Sequence, residues 1–417
     1  MNETYIPEEW GWKGEFHAAW AAAADADPTA RALLPARVTG REHHRYEVVC
    51  PDFSGRPDFR DLPAIAGLRR DLTVTGRFEY GAAGPADFPA PGDWVLVDPA
   101  EASLRIHAVL PRRSSLSRGM AGPRSEEQVL AANIDTLFLV FALDGGRNFL
   151  VRFLERGLVV AKNSGAAPCI VLNKADLAAE EDRERALAEA AYAAPTAPVV
   201  ALSAKTGEGL DRLAAYLSAG ETVGMLGKSG VGKSALVNAL GSYRGGRGGA
   251  AAATGAAAAA EAESSGTAGA AGGSEPDDPI LAREGRVRAD DLRGRHTTTS
   301  SRLYRLESGI LLIDSPGIRE LKIWGDAESL DGGFPEIAEL ALRCRFSDCA
   351  HAGEVGCAVQ EALNAGELDP ARYEAYLALV KEQAWLERRT DERAQREEKQ
   401  KWKQIAKFQK EFKKNGR

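Results

Sequence analysis

The stretch Gly227-Lys228-Ser229-Gly230-Val231-Gly232-Lys233-Ser234 constrains this chain more than any other. It fits G-x-x-x-x-G-K-[ST], and its surroundings suit that motif: an apolar strand at Thr222–Leu226 leads in, and Ala235 to Leu240 open a helix. In such a loop the backbone N–H groups from Gly227 through Ala235 wrap phosphates, and the helix N-terminus adds its positive end. Lys233 is placed to reach the β and γ phosphates, and the Ser234 hydroxyl to hold Mg²⁺. The loop implies a nucleoside triphosphate on an α/β sheet without saying which one.

Around the loop, strand and helix patterns alternate. Ile134-Asp135-Thr136-Leu137-Phe138-Leu139-Val140-Phe141 and Pro168-Cys169-Ile170-Val171-Leu172 read as buried parallel strands, with a helix over about 149–163 between them. A further helix runs to about Ala194, followed by a strand over 197–202. After the loop, Ile310-Leu311-Leu312-Ile313 completes a doubly wound sheet with its ligands at the C-terminal strand ends.

Two motifs select the base. Asn173-Lys174-Ala175-Asp176 matches N-K-x-D, and Ser203-Ala204-Lys205 resembles its companion S-A-K. A carboxylate at Asp176 accepts from both N1–H and the exocyclic amine of guanine, and adenine offers neither there. Asn173 steadies the loop and faces the base's N7 side, the Lys174 stem lies along the ring, and an S-A-K backbone N–H receives the guanine carbonyl. A site with such buried polar edges rejects the wrong base by on the order of 10⁴. Asp314-Ser315-Pro316-Gly317 matches D-x-x-G, with Asp314 set to bind Mg²⁺ through water and the Gly317 N–H to meet the γ-phosphate. Thr297, Thr298 and Thr299 supply hydroxyls for the other switch, and Thr298 is the first choice as Mg²⁺ ligand. N-K-x-D and S-A-K precede the phosphate loop here, the reverse of ordinary GTPases, and a circular permutation of the same sheet explains it. Ile318, directly after D-x-x-G, cannot orient an attacking water as a Gln would. His296 is the nearest polar substitute; a capping or packing role for it is the alternative.

Cys344-x₄-Cys349-x-His351-x₅-Cys357 offers three thiolates and an imidazole, suited to one closed, structural, tetrahedral Zn²⁺. With five cysteines in all, three of them here, the chain fits a reducing compartment better than a disulfide framework. Short β runs between Gly and Pro joints over residues 37–110 suggest a small barrel, an oligonucleotide-binding type among the candidates. Residues 1–36 read as a short helical or loosely ordered arm, and 111–133 as a basic linker or a phosphate-backbone contact. Residues 241–278, rich in Ala, Gly and Ser, read as a disordered insertion. Tyr373, Tyr376, Leu377 and Val380 read as helix packing, within a zinc-binding domain spanning 331–385. The formal charge of −7 argues against a uniformly basic nucleic-acid binder. Residues 386–417 nonetheless read as a basic helix, solvated or RNA-binding, with eight Lys/Arg against Glu411 beyond position 398. No run of eighteen apolar residues and no signal-peptide pattern occurs, so a cytoplasmic protein without membrane contact is expected.

Taken together, the chain resembles the ribosome small-subunit-dependent GTPases, the RsgA family. The resemblance rests on Pro91-Gly92-Asp93-Trp94-Val95, Gln128-Val129-Leu130-Ala131-Ala132-Asn133-Ile134-Asp135, Gly294-Arg295-His296-Thr297-Thr298-Thr299, the permuted order and the Cys₃His spacing. It implies a multidomain chain: an N-terminal OB-type β-barrel that binds RNA, a central circularly permuted P-loop α/β GTPase over 134–330, and a C-terminal, mostly helical zinc-binding domain. It further implies a monomer that binds the small ribosomal subunit and its rRNA, acts in late maturation of that subunit, and hydrolyses GTP to GDP with Mg²⁺, using His296. A GTP-switched RNA-binding scaffold with negligible hydrolysis, and a permuted GTPase of large-subunit assembly, are the competing readings.

Overall fold

The structure is a computed structural model that describes residues 5–60, 62–63, 65–99, 104–119, 127–144, 151–228, 230–243, 301–314 and 333–390. Ser229, His296, Thr297 to Thr299, Gly317, Ile318, most of the 241–278 insertion and the tail beyond 390 lie outside the described residues.

The barrel is built from β1 (Leu34–Glu42), β2 (Arg45–Cys50), β3 (Gly67–Val74), β4 (Trp94–Val97) and β5 (Arg105–Val109), with the short helix α2 (Gly76–Gly81) between β3 and β4. Its strand order is β1-β2-β3-β5-β4, closed by antiparallel β1–β4 pairing, with β3 and β5 parallel. Closure on five strands with this one parallel pair is the Greek-key arrangement of the oligonucleotide-binding barrel. Sequence pattern locates β2, the end of β3 (through the run 71–76), β4 and β5, but not β1, whose Pro35 and Arg37 interrupt the apolar run. His43 and His44 lie exposed in the β1–β2 turn.

The N-terminal arm takes the helical of its two expected forms and is part of this core. Helix α1 (Gly14–Ala26) buries Phe16, Trp20 and Ala24, four residues apart and so on one face. Trp12 packs edge-on against Trp94 at 4.8 Å and against Phe53 at 5.3 Å, and Trp20 meets Phe59 at 4.3 Å. Such aromatic pairs contribute about 0.5–1.5 kcal/mol each beyond their buried area.

The stretch 111–133 is also more than a linker. It folds into a hairpin of β6 (Ser115–Gly119) and β7 (Glu127–Ala132) that fastens the barrel to the next domain. The barrel turn at Gly92 has φ +94, and a Cβ there would lie 2.0 Å from the Ala132 carbonyl, so only glycine fits. Asn133 donates from Nδ2 to the Gly92 carbonyl at 3.0 Å and accepts from the Arg113 N–H at 2.9 Å. Beside them Arg112 grips buried Asp93 with two bonds of 2.8 Å.

The second domain is a sheet ordered β10-β9-β8-β11-β13-β12, comprising β8 (Thr136–Ala142), β9 (Ala167–Asn173), β10 (Val199–Ala201), β11 (Thr222–Leu226), β12 (Arg302–Arg305) and β13 (Leu311–Asp314). All pairs are parallel except β12–β13. Along β8, Leu137, Leu139 and Phe141 join one buried cluster, and Phe138, Val140 and Ala142 join the other. Both faces of the strand are therefore covered, which is why it reads as a continuous apolar run. Helices α3 (Val151–Ser164), α4 (Glu180–Ala193) and α5 (Lys233–Ser242) accompany these strands.

A charged knot joins the domains. Lys13 Nζ donates to Asp135 at 2.8 Å and Glu221 at 3.0 Å, while Asp135 also takes the Thr222 N–H at 2.8 Å and pairs with Arg113. Arg37, fully buried on β1, donates to Thr222 Oγ1 at 3.2 Å, and burial pushes its pKa down to about 10. Beyond the sheet, α6 (Pro335–Ala341), α7 (Ala358–Ala365) and α8 (Pro370–Thr390) form the C-terminal domain.

Candidate functional site

Three strand ends converge on the phosphate loop. Lys174 follows β9 in a left-handed turn at φ 64, and Ala175–Leu177 form a short 3₁₀ turn that presents Asp176 to solvent. Ser203 follows β10 and is fully buried. Asp314 ends β13, next to β11, from which the phosphate loop springs.

Asn173 binds these loops together. Its Nδ2 donates to the Val231 carbonyl of the phosphate loop at 2.9 Å, and its Oδ1 accepts from the Ala204 N–H of S-A-K at 3.0 Å. The Ala175 N–H adds a bond to the Leu202 carbonyl at 3.1 Å. Gly232, at φ +91, passes so close beneath Asn173 that a Cβ would lie 2.4 Å from Nδ2. The steadying role expected of Asn173 therefore has a geometric basis, and the glycine is required by that contact as well as by its backbone.

Lys233 opens α5 and curls back, donating from Nζ to the carbonyls of Gly227 at 2.6 Å and Lys228 at 2.9 Å. This sets a positive charge over the loop and the helix N-terminus, where anionic oxygens are best stabilised. Ser234 and Ala235 follow in the first turn of α5. The Lys174 ammonium is held by Asp144, just beyond β8, at 3.0 Å. Nothing in the sequence marked Asp144, because an acid two residues past a strand resembles any turn residue.

A second cluster of side chains could hold a metal ion. The ligand atoms of Cys344, Cys349, His351 and Cys357 all lie within 4.8 Å of one another. Cys344 Sγ and Cys357 Sγ are 3.9 Å apart, and His351 Nδ1 lies 3.6 Å from the first and 3.5 Å from the second. A tetrahedral ion bonding sulfur at about 2.3 Å and nitrogen at about 2.0 Å separates its ligand atoms by about 3.5–3.8 Å. The donor set fits such an ion. His351 is held in position by its carbonyl, which accepts from Tyr373 Oη at 2.5 Å and Gln360 Nε2 at 2.6 Å. Tyr373, expected only to pack, thus also orients a candidate ligand. Glu354 takes the N–H groups of Ala350 and Ala352 at 3.1 and 2.7 Å, closing the ligand loop.

No helix among the described residues is long and apolar enough to cross a membrane.

Comparison with known proteins agrees with this architecture. Residues 109–324 match the family described as RsgA GTPase. The small ribosomal subunit biogenesis GTPase RsgA of Opitutus terrae is 40% identical over 385 residues, covering 89% of this chain and 90% of that protein. Among solved structures, YjeQ from Thermotoga maritima superposes with a TM-score of 0.55 at 25% identity, over 84% of this chain and 98% of that one. YloQ, titled a circularly permuted GTPase, has the same fold with a TM-score of 0.52 at 22% identity, over 84% of this chain and 94% of that one.

Proposed function

Because this chain belongs to the RsgA family of GTPases, we propose that it hydrolyses GTP to GDP and phosphate in complex with the small ribosomal subunit, late in that subunit's maturation. The observation that carries the nucleotide half is Asn173 bonded at once to the phosphate loop and to S-A-K, which sets base and phosphate sites at a fixed separation. The ribosomal half is supported by relatives named for small-subunit biogenesis and by a barrel of oligonucleotide-binding topology.

In this reading Asp176 selects guanine, the stem of Lys174 lies along the ring, and a backbone N–H of the Ser203-Ala204-Lys205 turn donates to the guanine carbonyl. Gly227 through Ala235 cradle the phosphates, with Lys233 moving from the loop carbonyls to the β and γ oxygens. Ser234 and Thr298 would hold Mg²⁺ with the help of Asp314, and the Gly317 N–H would meet the γ-phosphate. Mg²⁺ supplies charge neutralisation on those oxygens when bound. His296 aligns the attacking water, a task Ile318 cannot perform. Cys344, Cys349, His351 and Cys357 hold one structural Zn²⁺ with no open position, so it shapes a docking surface and takes no part in hydrolysis. The protein works as a cytoplasmic monomer.

Phosphate release from GTP, followed with and without purified small subunits, tests this. Stimulation by small subunits and not by large ones is expected, and His296→Ala should abolish it while nucleotide affinity stays near wild type. Tight GTP binding without stimulated release would instead favour an RNA-bound scaffold that uses GTP only as a conformational ligand.

A further inference from the structure

A buried arginine is costly unless its donors are used, and Arg372 uses its fork on three parts of the chain. Its side chain on α8 is 4% exposed, and that of its partner Glu155 on α3 is 2% exposed. Nη1 donates to Glu155 Oε1 at 2.6 Å. Nε and Nη2 clasp Glu336 at 2.6 and 3.1 Å, and Nη2 also reaches the Gly333 carbonyl at 3.0 Å. The guanidinium lies over Phe334, 4.9 Å from the ring centroid. An ammonium is a point charge and cannot span these acceptors.

The positions of the partners give the cluster its meaning. Gly333 and Glu336 lie at the entry to α6 and within its first turn. Glu155 lies near the start of α3, two residues after Phe153, whose ring receives Lys228 of the phosphate loop at 5.3 Å. On its other side, Arg372 is followed by Tyr373, which holds the His351 carbonyl. Arg156 and Glu382 form a second ion pair between α3 and α8.

We propose that Arg372 is a positioning residue for GTP turnover, a single point that fixes α6 and α8 of the C-terminal domain to α3, the helix beside the phosphate loop. When the small subunit seats that domain, the constraint is passed to the nucleotide site through Arg372. This rests on the GTPase reading given above. Arg372 touches neither nucleotide nor metal, so its effect falls on the stimulated rate.

The test uses the full-length, zinc-loaded protein with Arg372→Lys, Arg372→Met and Glu336→Gln. Zinc content, thermal midpoint, GDP affinity, subunit affinity and stimulated phosphate release are measured on each. Arg372→Lys should keep zinc, GDP affinity and subunit affinity, while subunit-stimulated kcat falls by about tenfold or more, since small misplacements at a reacting centre are costly. Glu336→Gln, which keeps one acceptor, should fall less, and Arg372→Met at least as far as Arg372→Lys. Should Arg372→Met not fold, the other two variants decide. Wild-type stimulation in Arg372→Lys and Glu336→Gln overturns the coupling alone, as does a loss that merely follows weaker subunit binding. Absence of stimulation in the wild type overturns the functional reading, and the coupling with it.

Discussion

Asn173 and Val231, 58 residues apart in sequence, are joined by a 2.9 Å hydrogen bond that ties the base-reading loop to the phosphate loop. The same amide accepts from Ala204 at 3.0 Å, so one buried side chain sets three loops. Asn173→Ala should cost about 1–3 kcal/mol, because the Val231 carbonyl and Ala204 N–H lose their partner in a buried place. Asn173→Asp should be worse, since it sets a carboxylate against a carbonyl. Urea unfolding and GDP titration check both; an Asp variant as stable as wild type would disprove the contact's importance.

In the function proposed above, guanine selection rests on Asp176, which stands exposed at its turn. Asp176→Asn should weaken GTP binding by on the order of 10⁴ and admit xanthosine triphosphate, whose base carries an oxygen where guanine carries its amine. Competition between the two nucleotides against a fluorescent GDP analogue reads the switch directly. Equal weakening of both would mean that the loop was merely disrupted.

Removing the metal should undo the C-terminal domain. Coordination in such sites supplies roughly 10–16 kcal/mol, more than α6 and α7 can replace by packing. A strong chelator should lower the melting point and the helical signal, and added Zn²⁺ should restore both. Cys349→Ser, with one thiolate fewer, should bind zinc far more weakly. Cobalt substitution, followed by thiolate charge-transfer absorption, would report the loss of that ligand.

Asp135 links acid sensitivity to the joint between barrel and sheet. Burial works to raise its pKa, but hydrogen bonds from Lys13 and the Thr222 N–H, with the charges of Lys13 and Arg113, hold it below the usual value. A depressed carboxylate contributes stability that is full above the unfolded pKa of about 3.9 and is lost as pH falls below it. Asp135→Asn should therefore flatten the acid limb of the stability curve below about pH 4. An unchanged acid limb in that variant would show that the knot carries no linkage.

The sequence revealed motifs better than it revealed joints. The phosphate loop, N-K-x-D, S-A-K and the Cys₃His set demand particular residue types at fixed spacing, and the strands that lead into the first three are mostly apolar. Strand β1 escaped notice because Arg37 reads as a surface charge, although it is buried against Trp94 and Thr222. Strand β12, Arg-Leu-Tyr-Arg, shows one buried residue in four and no hydrophobic run. Arg372 and Glu155 look like ordinary solvated helix charges, since their pairing spans 217 residues. The arm's aromatic residues were plain in the sequence, but their partners Phe53, Phe59 and Trp94 are brought to them only by barrel closure.

Strand β12 lies beside β13 and is bridged to β1 at Gly40 and Arg302, so barrel and nucleotide-binding sheet run on as one eleven-stranded surface. An open parallel sheet ordinarily ends in two rows of unpaired backbone groups that can recruit a strand from another chain. Here the barrel shields one of those rows, and the other, β10, is only three residues long. Among the described residues this sheet therefore offers little template for edge-to-edge association.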